Sequence, residues 1–358
     1  MSGFRAFLKR KNIEISLRRY GIDALGAMAQ GLFCSLLIGT ILNTLGSQTG
    51  VAIFSTVGGY ATAVSGPAMA VAIGYALKCP PLVLFSMVPV GWAANALGGS
   101  AGGPLAVFVI AIVAAEVGKM VSKETPVDVL VTPLVTIFAG VALAALIAPP
   151  IGAGANYGGA LIKRATVLQP FWMGIIVSAS VGIALTLPIS SAAICHSFNL
   201  VGLAGGAAVA GCCANMVGFA VMSFRENRWG GLVSQGLGTS MLQMGNIVKN
   251  PRIWLPAILT SMITGPIATC VFKLEMNGAA INSGMGTCGL CGPIGVWTGW
   301  VNPSDVALAD GAAAIAPGAM DWLGLALVCF VLPAVICWAL GLFFRRIGWI
   351  REGDLTLN

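Results

Sequence analysis

Residues 128–150 read DVLVTPLVTIFAGVALAALIAPP: one carboxylate at the start, then no further charge until Lys163. Crossing the hydrocarbon core of a bilayer takes about 20 mostly apolar residues of α-helix, and this stretch supplies them. Asp128 stands where a helix N-terminus favours a carboxylate, and Pro149-Pro150 predicts the end of the span. The rest of the chain has the same character. Of 358 residues, 57% are apolar and only 9% charged, and the mean hydropathy is +0.91. A soluble domain is about 25% charged. So few polar groups cannot cover a soluble surface, which excludes a soluble globular enzyme, a nucleic-acid-binding domain and a disordered chain. The composition points to an all-α polytopic membrane protein. Its 48 glycines suit the close contacts of membrane helices.

Outward from 128–149, spans are predicted at about 24–46, 51–77, 81–97 and 103–118 on one side. On the other they fall at 167–187, 199–222, 230–248, 252–273, a broken region at 279–300, 305–319 and 321–344. That makes about 10–12 transmembrane helices by length. Arg5, Lys9, Arg10, Lys11, Arg18 and Arg19 make the N-terminus too polar for a signal core and suggest a basic, amphipathic interfacial helix. The expected organisation is a cytoplasmic N-terminal segment (1–22), a first membrane repeat (23–150), a connecting amphipathic or hairpin segment (151–229), a second repeat (230–345) and a cytoplasmic tail (346–358).

The repeats rest on internal similarity. Gly39-Thr-Ile-Leu-Asn-Thr-Leu-Gly46 aligns with Gly238-Thr-Ser-Met-Leu-Gln-Met-Gly245, and Thr62-Ala-Val-Ser-Gly-Pro67 aligns with Ser261-Met-Ile-Thr-Gly-Pro266 at the same offset. With a small gap, Gly103-Pro104 falls on Gly292-Pro293 and Asp128 on Asp321. Each half then holds five spans, and an odd number inverts the second half relative to the first. With both termini cytoplasmic, 14 Lys and Arg fall inside. Five fall outside: Lys163, Arg164, Arg225, Arg228 and Lys273. The split obeys the positive-inside rule. Whether 167–222 spans twice or folds back as a hairpin leaves that count unchanged.

Inverted repeats with interrupted helices are a transporter pattern, because unwound backbone is tolerable in a membrane only beside protein or a water-filled cavity. Two interruptions correspond: 95–104 and 277–293. Their glycines let backbone approach a ligand. Asn95, Asn277, Asn282, Ser283 and Thr287 offer neutral donors and acceptors suited to a sugar, with Gly99 at the first break. Glu275 adjoins the second break and either binds solute or pairs with Lys273 at the surface. Asn43, Asn215, Gln235 and Gln243 are polar residues on apolar spans that either line a pathway or bond between helices. Glu116 and Lys119 read as a helix-surface ion pair, and Asp128, Asp321 and Asp23 as helix-start carboxylates. His196, the only histidine, is expected near the cytoplasmic end of the connecting pair in a structural role. Cys288-Gly-Leu-Cys291 lacks further ligands for zinc. The chain has no P-loop, HExxH or GxSxG in its required context. No metal, cofactor or catalytic residue is expected in the chain itself.

Several segments carry a resemblance: Thr186-Leu-Pro-Ile-Ser-Ser-Ala-Ala-Ile194, Gly236-Leu-Gly-Thr-Ser-Met-Leu-Gln243, Asn246-Ile-Val-Lys-Asn-Pro-Arg-Ile-Trp254 and Gly284-Met-Gly-Thr287. With Tyr20–Gly31 and Ser223–Asn227, they make the chain similar to the PTS EIIC-like membrane family, the sugar-transporter subunit IIC type that includes toxin-regulating proteins of the PfoR kind. The resemblance implies a permease in the bacterial cytoplasmic (inner) membrane. It would move a sugar or other small polar solute by alternating access, as a homodimer, with phosphorylation by a separate IIB protein. Two alternatives stay open: a membrane sensor regulating gene expression without net transport, and a proton-coupled secondary transporter.

Overall fold

A backbone in hydrocarbon must bond to itself, and the computed structural model of the chain is accordingly helical. It describes residues 2–357, with side chains from Ala6 onward; Met1, Asn358 and the Arg5 side chain lie outside the described residues. Among the described residues, six helices are long and apolar enough to cross a membrane: Arg19–Thr49, Gly99–Val121, Asp128–Ala165, Gly202–Met222, Pro251–Val271 and Ala319–Arg346. Ala52–Ala63 and Ser65–Ala76 form a further candidate, a pair bent by 51°. Pro81–Leu97 and Pro170–Thr186 are apolar but only 17 residues long. The chain is a multi-pass membrane protein. It divides into two compact units, Met1–Gly154 and Ala155–Asn358.

In the first unit, Arg19–Thr49 turns a row of glycines toward the bent pair. A Cβ on Gly31 would come within 2.6 Å of the Ala68 carbonyl oxygen, and one on Gly46 would overlap the Ser55 hydroxyl. Small residues here let backbones touch. The interruption expected over 95–104 is a corner, not an unwound loop. Pro81–Leu97 ends, Gly99 takes φ +69°, and Gly99–Val121 begins at once. The glycine run serves packing: the Asn95 side chain lies against Gly66 and Gly103, and Gly98 against Gly152.

That last contact bears on a second difference. The helix from Asp128 does not stop at Pro149-Pro150 but continues for 38 residues to Ala165. The prolines remove two N–H donors, while Gly152 seats directly on the Gly98 and Gly102 backbone and fixes the next turn.

Glu116 and Lys119 do pair, at 2.7 Å, but not on the surface, since Lys119 is only 2% exposed. Its ammonium also donates to Asn12 O (3.0 Å) and Leu77 O (3.2 Å), and Arg19 donates to Leu77 O at 2.7 Å. These cations satisfy a carbonyl that the end of Ser65–Ala76 leaves without an intrahelical partner. Nearby, Lys11 and Arg10 bind Glu124 and hold its carboxyl below the usual carboxylate range.

The second unit is built around Gly202–Met222, buried along nearly its whole length. Three predicted spans are short or broken in the structure. Pro170–Thr186 runs inward, the chain breaks after Leu187-Pro188, and Ser191–Ser197 runs back, so that Phe198–Val201 line the same cavity as Lys163, Thr166 and Pro170. The segment left undecided by sequence, 167–222, thus folds back only over 170–201, and its remainder, Gly202–Met222, is one helix long enough to cross a membrane. His196 lies on Ser191–Ser197, the returning helix of that hairpin. The stretch 230–248 breaks into Phe224–Val233, a π-type turn Ser234–Gly238, a 3₁₀ turn Ser240–Gln243 and Met244–Lys249. The stretch 305–319 is the five-residue helix Asp305–Ala309 followed by non-helical chain. Proline and glycine explain these losses: Pro188 and Pro251 lack donors, and Gly236, Gly238 and Gly311 weaken any helix through them.

A charge assignment changes as well. Arg345 binds Glu226 at 2.7 Å and Asn227 binds the Leu355 carbonyl at 2.7 Å. Arg225 and Arg228 therefore share an end with Arg345 and Arg346 instead of lying opposite them. Within the second unit that end carries Arg225, Arg228, Lys249, Arg252, Arg345, Arg346 and Arg351; the other carries Lys163, Arg164 and Lys273.

Candidate functional site

Two hairpins start from the Lys163 end of the second unit. The first is 170–201. The second leaves the antiparallel bridge between Gly202 and Met276, passes through 3₁₀ turns Ala280–Gly284 and Cys288–Leu290, and returns as Cys291–Val301. Its base is closed by Ser304 N donating to Asn277 O (2.8 Å) and Ile315 N to Trp300 O (2.7 Å). Gly286 (φ +53°) and Gly289 (φ +51°) give the tip its reversal.

The tips meet deep in the fold. A Cβ on Gly286 would come within 2.7 Å of Cys212 Cβ, the middle of Gly202–Met222. At about 1.5 Å rise per residue, that is about 15 Å from either helix end. Ser191 Oγ donates to Gly284 O at 2.7 Å, joining the hairpins to each other. Thr287 Oγ1 donates to Gly236 O at 2.5 Å, joining the second tip to the broken segment from the opposite end. The Thr186 and Ser240 hydroxyls lie 2.8 Å apart, joining the first tip to the same segment. Three interruptions thus converge at mid-depth, and these cross-links take up groups that the broken helices expose.

Beside them, Asn215 is completely buried and fully engaged. Its amide donates to Gly211 O and Ser261 Oγ (both 3.1 Å), and its oxygen accepts from Trp254 Nε1 (3.0 Å) and Thr186 Oγ1 (3.3 Å). Toward the Arg345 end runs a file of amides. Gln235 donates to Ser223 Oγ (2.8 Å), Gln243 to Gln235 Oε1 (2.9 Å) and Asn246 to Gln243 Oε1 (2.8 Å). The file ends on the C-terminal tail: Gln243 donates to Leu355 O and Asn246 to Thr356 O.

A family model described as "Phosphotransferase system, EIIC" matches residues 22–357. The chain belongs to the phosphotransferase-system EIIC family. An EIIC chain is the sugar-specific membrane permease component of such a system. No curated protein and no solved structure matches the chain.

In this EIIC chain, the residues singled out by sequence separate into groups. Asn277, Ser283 and Thr287 are buried in the second hairpin, with Ser283 Oγ bonded to Ala280 O at 2.7 Å. Asn215, Gln235 and Gln243 spend their hydrogen bonds inside the protein. Glu275 does not pair with Lys273; its Oε2 accepts from Asn277 Nδ2 at 2.9 Å. The amide of Asn282, half-buried against Gly295, has no hydrogen-bond partner among the described residues. Asn43 (against Gly58), Asn95 and Gly99 belong to the first unit. Sequence reasoning missed Thr186, Ser191, Ser240 and Trp254; Pro188, which breaks the first hairpin, was the signal that could have found them.

The aligned repeat blocks differ in backbone. Gly39–Gly46 is continuous helix, whereas Gly238–Gly245 is broken at Thr239, between a π-type turn and a 3₁₀ turn. Asp128 and Asp321 do match, each beginning a helix: Asp128 accepts from Lys123 N (2.6 Å) and Asp321 from Gly318 N (2.8 Å).

Proposed function

We propose that this EIIC chain carries a sugar by alternating access, with the solute held where the two hairpins of the second unit meet. The convergence of their tips at mid-depth carries the reading. It supplies unwound backbone, Asn282 with its uncommitted amide, and Glu275 and Asn277 at the approach to the hairpin. A polyhydroxyl solute can replace the hydroxyl-to-carbonyl links of Ser191 and Thr287 one for one, so moving a tip need not strand a buried polar group. The cavity of about 540 Å³ at the hairpin bases, lined by Lys163, Thr166, Asn199 and Asp310, is of a size that ordinary ligand sites have and serves as the vestibule. The opposite end, rich in arginine, faces the cytoplasm by the positive-inside rule and receives the IIB partner.

The test is a sugar screen on the purified protein by thermal shift, followed by uptake into proteoliposomes with and without a phosphoryl-donating IIB protein. Asn282→Ala and Glu275→Gln are expected to weaken solute binding about tenfold each, on the order of one lost hydrogen bond to a charged or oriented group. Unchanged affinity in both variants refutes the site. Uptake at full rate without a phosphoryl donor refutes the coupling.

A further inference from the structure

The amide file runs from the hairpin tips to the C-terminal tail. Gln235 adjoins Gly236, whose carbonyl accepts from Thr287, and Gln243 follows Ser240, whose hydroxyl meets Thr186. At the other end the tail is held by its backbone. Leu355 O accepts from Asn227 Nδ2 (2.7 Å) and Gln243 Nε2 (2.9 Å), Thr356 O accepts from Asn246 Nδ2 (2.8 Å), and Leu357 N donates to Asn227 Oδ1 (2.8 Å). Side-chain amides from three separate elements thus hold a segment that is neither helix nor strand. Leu355 itself is completely buried, as are Gln235 and Gln243. The root of the tail is fixed: Ile350 is buried, and the Arg252 guanidinium lies over the Trp349 ring at 5.4 Å. Between root and held end, Arg351, Glu352 and Gly353 are exposed, and Gly353 takes φ +89° with open space where a Cβ would stand. These three residues line a cavity of about 560 Å³ together with Arg225, Glu226 and Arg345, so this stretch has room to move.

We infer that Asp354–Leu357 is a lid, pivoting at Arg351–Gly353, that opens and closes over the amides of Asn227, Gln243 and Asn246. What passes beneath it, a neutral polyhydroxyl solute, rests on the transport proposal; the opening itself does not. With the lid closed, the Gln243 amide donates to Gln235 and Leu355, and the Asn246 amide to Gln243 and Thr356. Both hydrogens of each amide are then committed, and none is left for a solute. Primary amides donate to any oxygen, so the carbonyls of Leu355 and Thr356 stand where water or the hydroxyls of a polyol stand once the lid is open. Opening exchanges these hydrogen bonds and strands none of them, which keeps its cost small. One more contact has to part, Asn250 Nδ2 donating to Asp354 Oδ2 at 2.9 Å, and it lies toward the surface, where water replaces it. The lid holds its own shape meanwhile, because Arg351 N donates to Asp354 Oδ2 (2.9 Å) and Thr356 N to Gly353 O (3.2 Å).

The experiment uses the full-length protein in detergent micelles. Gln243→Cys and Gln243→Cys/Leu355→Asp are reacted with N-ethylmaleimide, and mass spectrometry reads each cysteine separately. Native Cys213 and Cys329, both completely buried, report global unfolding. The thiol at position 243 is expected to react in native buffer while Cys213 and Cys329 do not, and Leu355→Asp is expected to accelerate position 243 alone by about tenfold or more, as a local opening does. A rate at 243 no faster than at Cys213 with the tail intact makes the tail a fixed plug and overturns the inference. So does an unchanged rate in the Leu355→Asp variant, or equal acceleration at all three thiols, which marks the tail as a plain structural element. If Gln243→Cys does not fold, hydrogen exchange on the unmutated protein decides. The Leu357 N–H is expected to exchange more slowly than in a free peptide, yet roughly a hundredfold faster than the amides in the middle of Gly202–Met222. Free-peptide exchange denies the closed state, and exchange at the rate of the central helix denies the open one. Neither readout uses a solute, so the lid can fail while the hairpin site stands, and failed uptake leaves the lid standing.

Discussion

Asn215 has the chemistry of a ligand-binding residue and the surroundings of a structural one. Four hydrogen bonds tie it to Gly211, Ser261, Trp254 and Thr186. Most of these partners keep another bond if the amide is removed. Thr186 retains Ser240 and Gly182 O, and Ser261 retains Ala257 O. The Trp254 indole N–H does not. Asn215→Leu should therefore cost about 1–3 kcal/mol, the penalty of a stranded donor, read as a lower melting temperature in detergent. Adding Trp254→Phe should recover part of that loss, because the donor is then gone as well. Purely additive losses in the double variant would mean that the Asn215–Trp254 contact contributes nothing.

At the scale of elements, glycines decide how closely segments approach. A Cβ on Gly211 would overlap the Ser178 carbonyl oxygen of Pro170–Thr186, and one on Gly206 the Leu274 carbonyl oxygen. Both clashes are with backbone, so no rotamer relieves them. Gly211→Ala should push the first hairpin away from the central helix and destabilise the protein by about 1–3 kcal/mol, the usual cost of overpacking. Gly230→Ala, with open space around its Cβ, should leave the melting temperature unchanged within error. A neutral Gly211→Ala would show that this contact is looser than the fold requires. The Gly202-Leu-Ala-Gly-Gly206 pattern was legible as a close contact, but its partner is the extended chain at Leu274–Met276 rather than a helix, and sequence cannot name a partner seventy residues away.

At the scale of the whole molecule, the hairpins determine which loops share a side. Because 170–201 folds back, Gly202–Met222 runs in the sense opposite to that of a twice-crossing pair, and Arg225 and Arg228 move to the Arg345 end. Cysteine labelling with a membrane-impermeant maleimide tests this directly. Arg228→Cys and Arg346→Cys should react from the same side of sealed vesicles, and Lys163→Cys from the other. Labelling of Arg228→Cys together with Lys163→Cys would restore the two-crossing arrangement and dismantle the site. The amide file makes a second global link: Asn227, Gln243 and Asn246 fix the tail that sequence presented as a mere terminus, and Leu355 is fully buried.

Composition alone determined that the chain lives in a membrane, since 9% charge cannot clothe a soluble surface. The placement of Asp128 and Asp321 at helix starts and the existence of an interruption near 277–293 were equally local, and equally legible. What tertiary structure decided is which apolar stretches run on as one long helix and which break and turn back. An apolar helix of 17 residues or a glycine-rich run has the same hydropathy in either role. Its fate depends on whether the backbone groups freed at its broken end find partners, and here they do: Ser191 for the Gly284 carbonyl and Thr287 for the Gly236 carbonyl, with the Thr186 and Ser240 hydroxyls paired beside them. Those partners lie roughly 50 to 95 residues apart in sequence, and only the folded chain brings them together.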